Sequence, residues 1–186
     1  VNLFSAGDFA EAADREETTP SVMDLPPAVV SEPGFILAVD DLQENRELVA
    51  RYLSRSGHIV VTAASGPEAL ATLEQSDVDV VLLDLMMPEM DGREVLRRIK
   101  ENPEWRATPV IVISGSQDME GIIECIEAGA DDYLFKPFNP VLLRARLGAT
   151  LEKKRLRDEI NAHLGRLEQE IETARRLQMA MVPQVF

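Results

Sequence analysis

Three acidic side chains and one lysine stand at the ends of apolar stretches, where their types and spacing could support chemistry. Asp84 closes one apolar stretch, the pair Asp40 and Asp41 follows an earlier one, and Lys136 ends a later one. Each stretch has the length of a buried strand, and open α/β sheets place their ligands at the carboxyl ends of such strands. We therefore expect the four side chains to meet at one edge of a sheet.

This set of side chains predicts a metal-assisted phosphoryl site. Neighbouring carboxylates repel one another, and Mg²⁺ relieves the repulsion through oxygen ligation. Asp41 and Asp84 are the expected direct ligands, Asp40 binds directly or through water, and a backbone carbonyl just after Asp84 supplies another oxygen. An Asp carboxylate can act as the nucleophile and form an acyl phosphate. Lys136 would place a positive charge on the phosphoryl group, and Ser114, at the end of another apolar stretch, offers a hydroxyl.

Strand and helix patterns alternate through the middle of the chain. The predicted strands are 35–39, 59–63, 79–83, 110–113 and 132–135. The predicted helices between them are 44–56, 66–75, 92–101 and 119–128. Short strands with little internal alternation are typical of a parallel sheet covered on both faces. The repeat therefore predicts a doubly wound α/β sheet, with its switch point beside the first strand.

These residues resemble the receiver domain of bacterial two-component response regulators over roughly 35–150. The motifs that carry the resemblance are Asp40-Asp41, Asp84 with Met87-Pro88-Glu89-Met90-Asp91-Gly92, Ser114-Gly115, and the stretch 129–138. The resemblance implies a flavodoxin-like (βα)₅ fold with strand order 2-1-3-4-5. It also implies a histidine kinase or a phosphotransfer protein as the phosphoryl donor.

The resemblance also implies a role for each matching site residue. Asp84 would be the phosphoacceptor, Ser114 would sense the phosphoryl group, Tyr133 would be the switch aromatic, and Lys136 would contact phosphate. The Mg²⁺ ligands would be Asp40, Asp41, Asp84 and the backbone carbonyl of Met86. The Lys136-Pro137 peptide bond is expected to be cis.

Composition bounds the remaining possibilities. The chain has 186 residues, 45% of them hydrophobic, and a net charge of −14, which argues against nucleic acid as a direct partner. Its single cysteine, Cys125, fits the reducing cytoplasm and is expected to be a small buried hydrophobe. No apolar run has the length of a membrane span. Residues 1–34 are acidic and contain four prolines, which predicts a flexible leader before the domain at 35–150.

The last part of the chain predicts one long helix with a dimerisation seam. Residues 139–182 would form a rod of about 65 Å at 1.5 Å per residue. Apolar positions recur there with alternating spacings of four and three, at Ile160, Leu164, Leu167, Ile171 and Ala174, and the register continues through Gln178 and Met181. This heptad pattern predicts a parallel homodimeric coiled coil over 151–183. The upstream leucines fit the register poorly, which predicts a discontinuity and a compliant point near 151–160.

The end of the rod indicates an output domain beyond Phe186. Ala174, Gln178 and Pro183, with two apolar residues before the proline, resemble the sequence that precedes PPM-type (SpoIIE-like) serine phosphatase domains. Class III nucleotide cyclases, which also follow a signalling helix with an apolar-Pro step, are the alternative output. A dimeric adaptor receiver that acts only by binding is a further alternative. Because no catalytic domain is present, we expect neither output activity from these 186 residues.

Overall fold

A five-stranded sheet with helices on both faces forms the body of the protein. The computed structural model describes residues 33–115 and 119–181, without the side chains of 119 and 179–181. The strands are β1 (Phe35–Val39), β2 (Ile59–Ala63), β3 (Val80–Asp84), β4 (Val110–Gly115) and β5 (Asp132–Lys136). The helices are α1 (Gln43–Arg55), α2 (Gly66–Gln75), α3 (Gly92–Glu101), α4 (Met119–Glu127) and α5 (Pro140–Met181). The predicted leader lies almost entirely outside the described residues, as does Pro183.

The predicted fold class and strand order are confirmed. All strand pairs are parallel, and the order across the sheet is β2-β1-β3-β4-β5. The element boundaries match the predictions to within one or two residues, and β3 begins and ends one residue later than predicted. Val39 pairs with Leu83. The carboxyl ends of β1 and β3 are therefore level, as the site requires.

Two apolar layers cover the two faces of the sheet. On one face, residues of α2 and α3 pack against the strands together with buried Cys125 of α4, as predicted for this cysteine. On the other face, α1 contributes Val49 and Leu53 and α5 contributes its first leucines. The central strand β3 is buried along its whole length. Because both faces are covered, the inner strands β1, β3 and β4 are almost wholly buried and lack the polar alternation of a half-exposed sheet.

Helix α5 buries apolar side chains in the domain core only in its first three turns. Leu143, Leu147 and Leu151, spaced four residues apart, are all buried in the second layer. This spacing places the three side chains on one face of the helix. Further along, the helix leaves the domain, and residues 158–178 are exposed. The described helices include none that is both long and apolar enough to cross a membrane.

Polar contacts fasten α5 to the amino-terminal edge of the sheet just where it leaves the domain. The ammonium of Lys154 lies 3.1 Å from the carboxylate of Asp79, which also accepts the Phe35 N–H at 2.8 Å. The guanidinium of Arg157 donates to the carbonyl of Ala107. The helix is unbroken through this segment. The predicted compliant point near 151–160 thus coincides with the segment of α5 that Lys154 and Arg157 bind to the domain.

The apolar pattern of α5 changes where the helix stops packing against the sheet and begins to present its seam residues to solvent. An α-helix turns by about 100° per residue, so Ile160 points about 180° away from Leu151, nine residues earlier. Leu147 and Leu151 face the sheet, whereas the seam residues face solvent on the opposite side. Leu147 and Leu151 therefore fall out of the seam register because they pack in the domain core. Leu156, which also fits the register poorly, is 51% exposed and does not belong to the core.

His58 is buried where the first strand, the second strand and α5 meet. Its Nδ1 accepts the Gly34 N–H at 3.1 Å, so the imidazole is neutral with its proton on Nε2. Gly34 in turn is close to Leu151, whose side chain would lie 2.8 Å from a Cβ at that position. Burial lowers the pKa of His58, and the charge of Arg155 lowers it further.

The lowered pKa of His58 predicts a pH-dependent stability. With a lowered pKa in the folded state, His58 binds a proton more readily in the unfolded chain than in the folded one. The contribution of the neutral His58 to the free energy of unfolding is therefore fully present above about pH 6.5 and is lost as the pH falls. Between pH 7.5 and 5.5, the free energy of unfolding should fall less in His58→Gln than in the wild type, by at most about 1.4 kcal/mol per pH unit. Urea denaturation measures both.

His163→Gln, at an exposed position of α5, is the matched control and should keep the wild-type pH dependence. Parallel pH profiles for the wild type and His58→Gln would contradict the assignment of a neutral, buried imidazole.

Candidate functional site

Three carboxylates converge at the carboxyl edge of the sheet. Asp84 is the last residue of β3, and Asp40 and Asp41 directly follow β1, its neighbour in the sheet. One carboxylate oxygen from each of the three side chains lies within 4.8 Å of the others. Asp84 and Asp40 are buried and Asp41 is half-buried. Such a group of hard oxygen donors fits Mg²⁺, which binds proteins through one or two carboxylates and retained waters.

Lys136 reaches this cluster from the edge strand β5. Its Nζ lies 2.7 Å from an oxygen of Asp40 and 2.7 Å from an oxygen of Asp84. The residue paired with it on β4 is Gly115, whose missing side chain leaves open space beside the lysine. The structure therefore brings together the four residues that the sequence predicted to meet.

The local electrostatics of the site follow from burial and from this lysine. Burial raises the pKa of Asp84, while the hydrogen bond and the charge of Lys136 act in the opposite direction. Burial disfavours the charged ammonium, but the hydrogen bonds and charges of Asp40 and Asp84 outweigh it and raise the pKa of Lys136. The lysine thus carries its full charge and offsets part of the repulsion among the carboxylates.

The loop after Asp84 is held close to that strand. A Cβ on Gly92 would lie 2.2 Å from the Asp84 carbonyl oxygen, so only glycine fits at the start of α3. Glu89 in the same loop has a φ of 67°, a conformation that non-glycine residues rarely adopt. The Met86 N–H donates to the Asp84 carboxylate at 3.3 Å. The side chain of Met87 is buried and that of Met86 is 66% exposed, so only Met87 is a packing residue.

The two predicted switch residues lie on β4 and β5. Ser114 is fully buried at the end of β4, one position beyond the residue that pairs with Asp84. Tyr133 is half-buried on β5, and its ring contacts the edge of Phe135 at a centroid distance of 5.4 Å. The guanidinium of Arg146, on α5, lies 5.5 Å from the centre of the Tyr133 ring and also pairs with Asp132. The Lys136-Pro137 bond is cis, as predicted.

Two residues of α1 that the sequence analysis did not single out also touch the acidic pair. The side-chain amide of Asn45 donates to both carboxylate oxygens of Asp40, at 3.1 and 3.0 Å. The guanidinium of Arg46 donates to the backbone carbonyls of Asp40 and Asp41, at 2.6 and 2.9 Å. The sequence could have indicated these contacts, because both residues carry side-chain hydrogen-bond donors and lie in the first turn of the predicted helix that follows the acidic pair.

Comparison with protein families gives one match to the described domain. The family model for the response regulator receiver domain matches residues 36–148. This range contains the three carboxylates, Lys136, and the predicted switch residues.

Individual relatives and solved structures agree with that match. A probable transcriptional regulator (ycf27) of Guillardia theta is 41% identical over 118 residues, which cover 63% of this chain and 45% of that protein. The response regulator PleD of Caulobacter vibrioides is 39% identical over 125 residues, covering 67% of this chain and 28% of PleD. The crystal structure of a putative response regulator from Chloroflexus aurantiacus has a TM-score of 0.63 at 33% identity, over 65% of this chain and 99% of that one. The chain thus spans less than half the length of these two curated relatives.

The converging carboxylates predict that Mg²⁺ stabilises the fold. At ten times its Kd, Mg²⁺ should raise the free energy of unfolding by about 1.4 kcal/mol, because it binds the folded chain only. Asp41→Asn should remove most of this gain, since it takes away a carboxylate that faces the cluster. Thermal unfolding with Mg²⁺ and then with EDTA measures the difference.

Asp77→Asn, which removes an exposed carboxylate before the amino-terminal end of β3, at the opposite end of the strand from Asp84, should respond to Mg²⁺ like the wild type. An equal Mg²⁺ response in Asp41→Asn would show that the cation binds elsewhere.

Proposed function

Because the chain belongs to the response regulator receiver domain family, we propose that it accepts a phosphoryl group on Asp84 in two-component signalling. The observation that carries this proposal is the contact of Lys136 with both Asp40 and Asp84, at the point where Asp41 also converges. A structural role alone does not call for three carboxylates at one strand edge. Phosphoryl transfer does, because it needs a nucleophile, a cation site and a compensating positive charge.

The proposed reaction uses these residues in distinct roles. A carboxylate oxygen of Asp84 attacks the phosphorus of a phosphohistidine on a histidine kinase or phosphotransfer protein. The phosphorus–nitrogen bond breaks, and the imidazole nitrogen leaves with the electron pair. Mg²⁺ would neutralise the charge of the phosphoryl oxygens. Asp41, Asp84 and the backbone carbonyl of Met86 would hold the ion, and Asp40 would bind it directly or through water. Lys136 would move its hydrogen bond from the Asp84 carboxylate to the phosphoryl group.

The surroundings of the site support a protein as the donor. The apolar side chains of Leu42 and Met86, in the two loops that carry the acidic residues, are 57% and 66% exposed. Such side chains at the mouth of a charged site are suited to contact with a protein surface.

The proposed signal is a population shift that runs from Ser114 through Tyr133 to α5. The buried hydroxyl of Ser114 would turn toward the phosphoryl group, and the Tyr133 ring would move inward behind it. Arg146 lies on α5 and contacts Tyr133, so a movement of the ring changes a contact of the long helix. This contact gives the proposal a physical link between the site and the rod.

The exposed end of α5 supports the proposed parallel homodimer. Ile160, Leu164, Leu167 and Ile171 are between 41% and 61% exposed, which is costly for a heptad seam without a partner helix. In this register, with Leu164 at an a position, Glu170 is at g and Arg175 is at the following e. A parallel, in-register pair brings these opposite charges together across the seam. Because the seam faces away from the domain, two receivers fit on the outer sides of the rod.

For the output, we propose a PPM-type serine/threonine phosphatase domain that follows the rod. Support comes from the spacing of Ala174, Gln178 and Pro183 alone. The relatives do not single out one output, since they include transcriptional regulators and a probable cyclic di-GMP phosphodiesterase of Vibrio cholerae.

The coding sequence downstream of Phe186 tests the proposed output. About 200 further codons with paired metal-binding aspartates would support a phosphatase of ordinary domain size. A cyclase signature, or a stop codon directly after Phe186, would overturn it in favour of a cyclase or of an adaptor that acts by binding.

Asp84→Asn should abolish phosphorylation, because an amide lacks the nucleophilic carboxylate. Incubation with a phosphorylated histidine donor or a small acyl phosphate, followed by mass spectrometry, measures the added phosphoryl group and its lability. Asp77→Asn should be phosphorylated like the wild type. Retained acyl phosphate on Asp84→Asn would place the acceptor on another residue.

Leu167→Ala with Ile171→Ala should raise the Kd of the dimer at least about 100-fold, because two apolar side chains are lost from each helix of the seam. Sedimentation equilibrium measures this change. Gln169→Ala with Thr173→Ala, on the other side of the same helix, is the matched control and should leave the Kd close to that of the wild type. An unchanged Kd for the seam variant would contradict the seam assignment.

The charges flanking the seam give a test of helix direction. Glu170→Arg alone and Arg175→Glu alone should each weaken the dimer, and the double exchange should restore it if the helices are parallel.

A further inference from the structure

We infer that Asn45 and Arg46 are positioning residues for the metal site, holding Asp40 and Asp41 in the arrangement that binds Mg²⁺. This inference rests on the proposed function, because it concerns the cation that would assist phosphoryl transfer. Both residues are half-buried in the first turn of α1, directly beside the acidic pair. Neither one carries a carboxylate, so they would act through the two aspartates.

Asn45 fixes the orientation of the Asp40 carboxylate. Its amide donates to both carboxylate oxygens of Asp40, while the Leu42 N–H donates to Oδ1 at 2.9 Å and Lys136 donates to Oδ2 at 2.7 Å. Four hydrogen bonds use about all the acceptor sites that a carboxylate offers. Asp40 is therefore held in one orientation, and a cation or a cation-bound water would reach it by taking the place of one of these donors.

Arg46 fixes the backbone of the same two residues. One guanidinium nitrogen donates to both carbonyls, of Asp40 and of Asp41, and thereby spans the peptide that joins β1 to α1. The N-cap residue of α1, Leu42, has no side-chain capping bond within the described part of the chain. The order of this turn thus depends on side chains that fold back from the helix, and Arg46 supplies two of the contacts.

The positive charge of Arg46 could affect Mg²⁺ binding in the direction opposite to its positioning role, so the two effects can be told apart by experiment. A guanidinium beside the acidic pair lowers the negative potential that attracts a cation, so on electrostatic grounds alone its removal should tighten Mg²⁺ binding. If its hydrogen bonds position the carboxylates, removal should weaken binding, since losing a partner behind a metal ligand typically costs 10- to 100-fold in affinity. The electrostatic effect and the positioning effect therefore predict opposite changes in the Kd for Mg²⁺ when Arg46 is removed.

The test is the Mg²⁺ affinity of Arg46→Met, measured on the whole chain by calorimetry or by amide NMR shifts at Asp40 and Asp41. We expect a Kd about ten times that of the wild type or more. Arg51→Met makes the same change of charge at an exposed position of the same helix and should keep the wild-type Kd. An unchanged or lower Kd for Arg46→Met would overturn the inference. Urea denaturation identifies a variant that fails to fold.

Asn45→Leu provides a second variant of similar size and without a change of charge. It should also weaken Mg²⁺ binding, and it keeps the inference testable if Arg46→Met does not fold. In phosphorylation assays, both variants should need more Mg²⁺ for half-maximal rate yet reach the wild-type rate at saturation, which a general structural defect would not produce. A lower saturated rate with unchanged Mg²⁺ dependence would contradict a positioning role.

The outcomes also separate this inference from the proposed function. If the wild type itself does not bind Mg²⁺, the proposed metal site fails. If the wild type binds Mg²⁺ and is phosphorylated while both variants match it, only the positioning role fails.

Discussion

Mutual repulsion among three carboxylates is the constraint around which the domain is arranged. Two adjacent parallel strands end at the same level, so Asp40, Asp41 and Asp84 are forced into proximity in a partly buried setting where water screens them poorly. Lys136 offsets part of this cost by bridging two of them. The cluster remains net negative, and a site that retains such repulsion is poised to bind a cation. The same repulsion explains why residues of α1 hold the acidic pair in place through hydrogen bonds.

The long helix α5 serves two partners with two different faces. Its first three turns bury leucines in the core of the domain, and its exposed part presents a heptad seam on the opposite side. This division explains how one uninterrupted helix carries two apolar patterns. It also fixes the geometry of the proposed dimer, because the domains must lie outside the paired rods.

Contacts at two levels join α5 to the sheet. Near its start, Arg146 contacts Tyr133 and Asp132 on the strand that also carries Lys136. Where it leaves the domain, Lys154 and Arg157 bond to Asp79 and to the carbonyl of Ala107. These contacts tie the helix to the sheet both near its start and where it leaves the domain. A shift at Tyr133 would therefore reach the rod as a small tilt or rotation, which is how a seam about 180° away could sense it.

The sequence by itself determined the fold class, the strand order and the four residues of the acidic site. The fold class and the site follow from local patterns: apolar strands of five residues, amphipathic helices, and acidic or basic residues at strand ends, which topology brings to one edge. The strand order was what the resemblance to receiver domains implied. The tertiary structure decided that Leu143, Leu147 and Leu151 of α5 belong to the core, that His58 is buried, and that Asn45 and Arg46 contact the acidic pair. Each of these depends on contacts between segments or on side-chain direction within a turn. Hydrophobic periodicity records which face of an element is apolar, but it does not record which neighbour that face will meet.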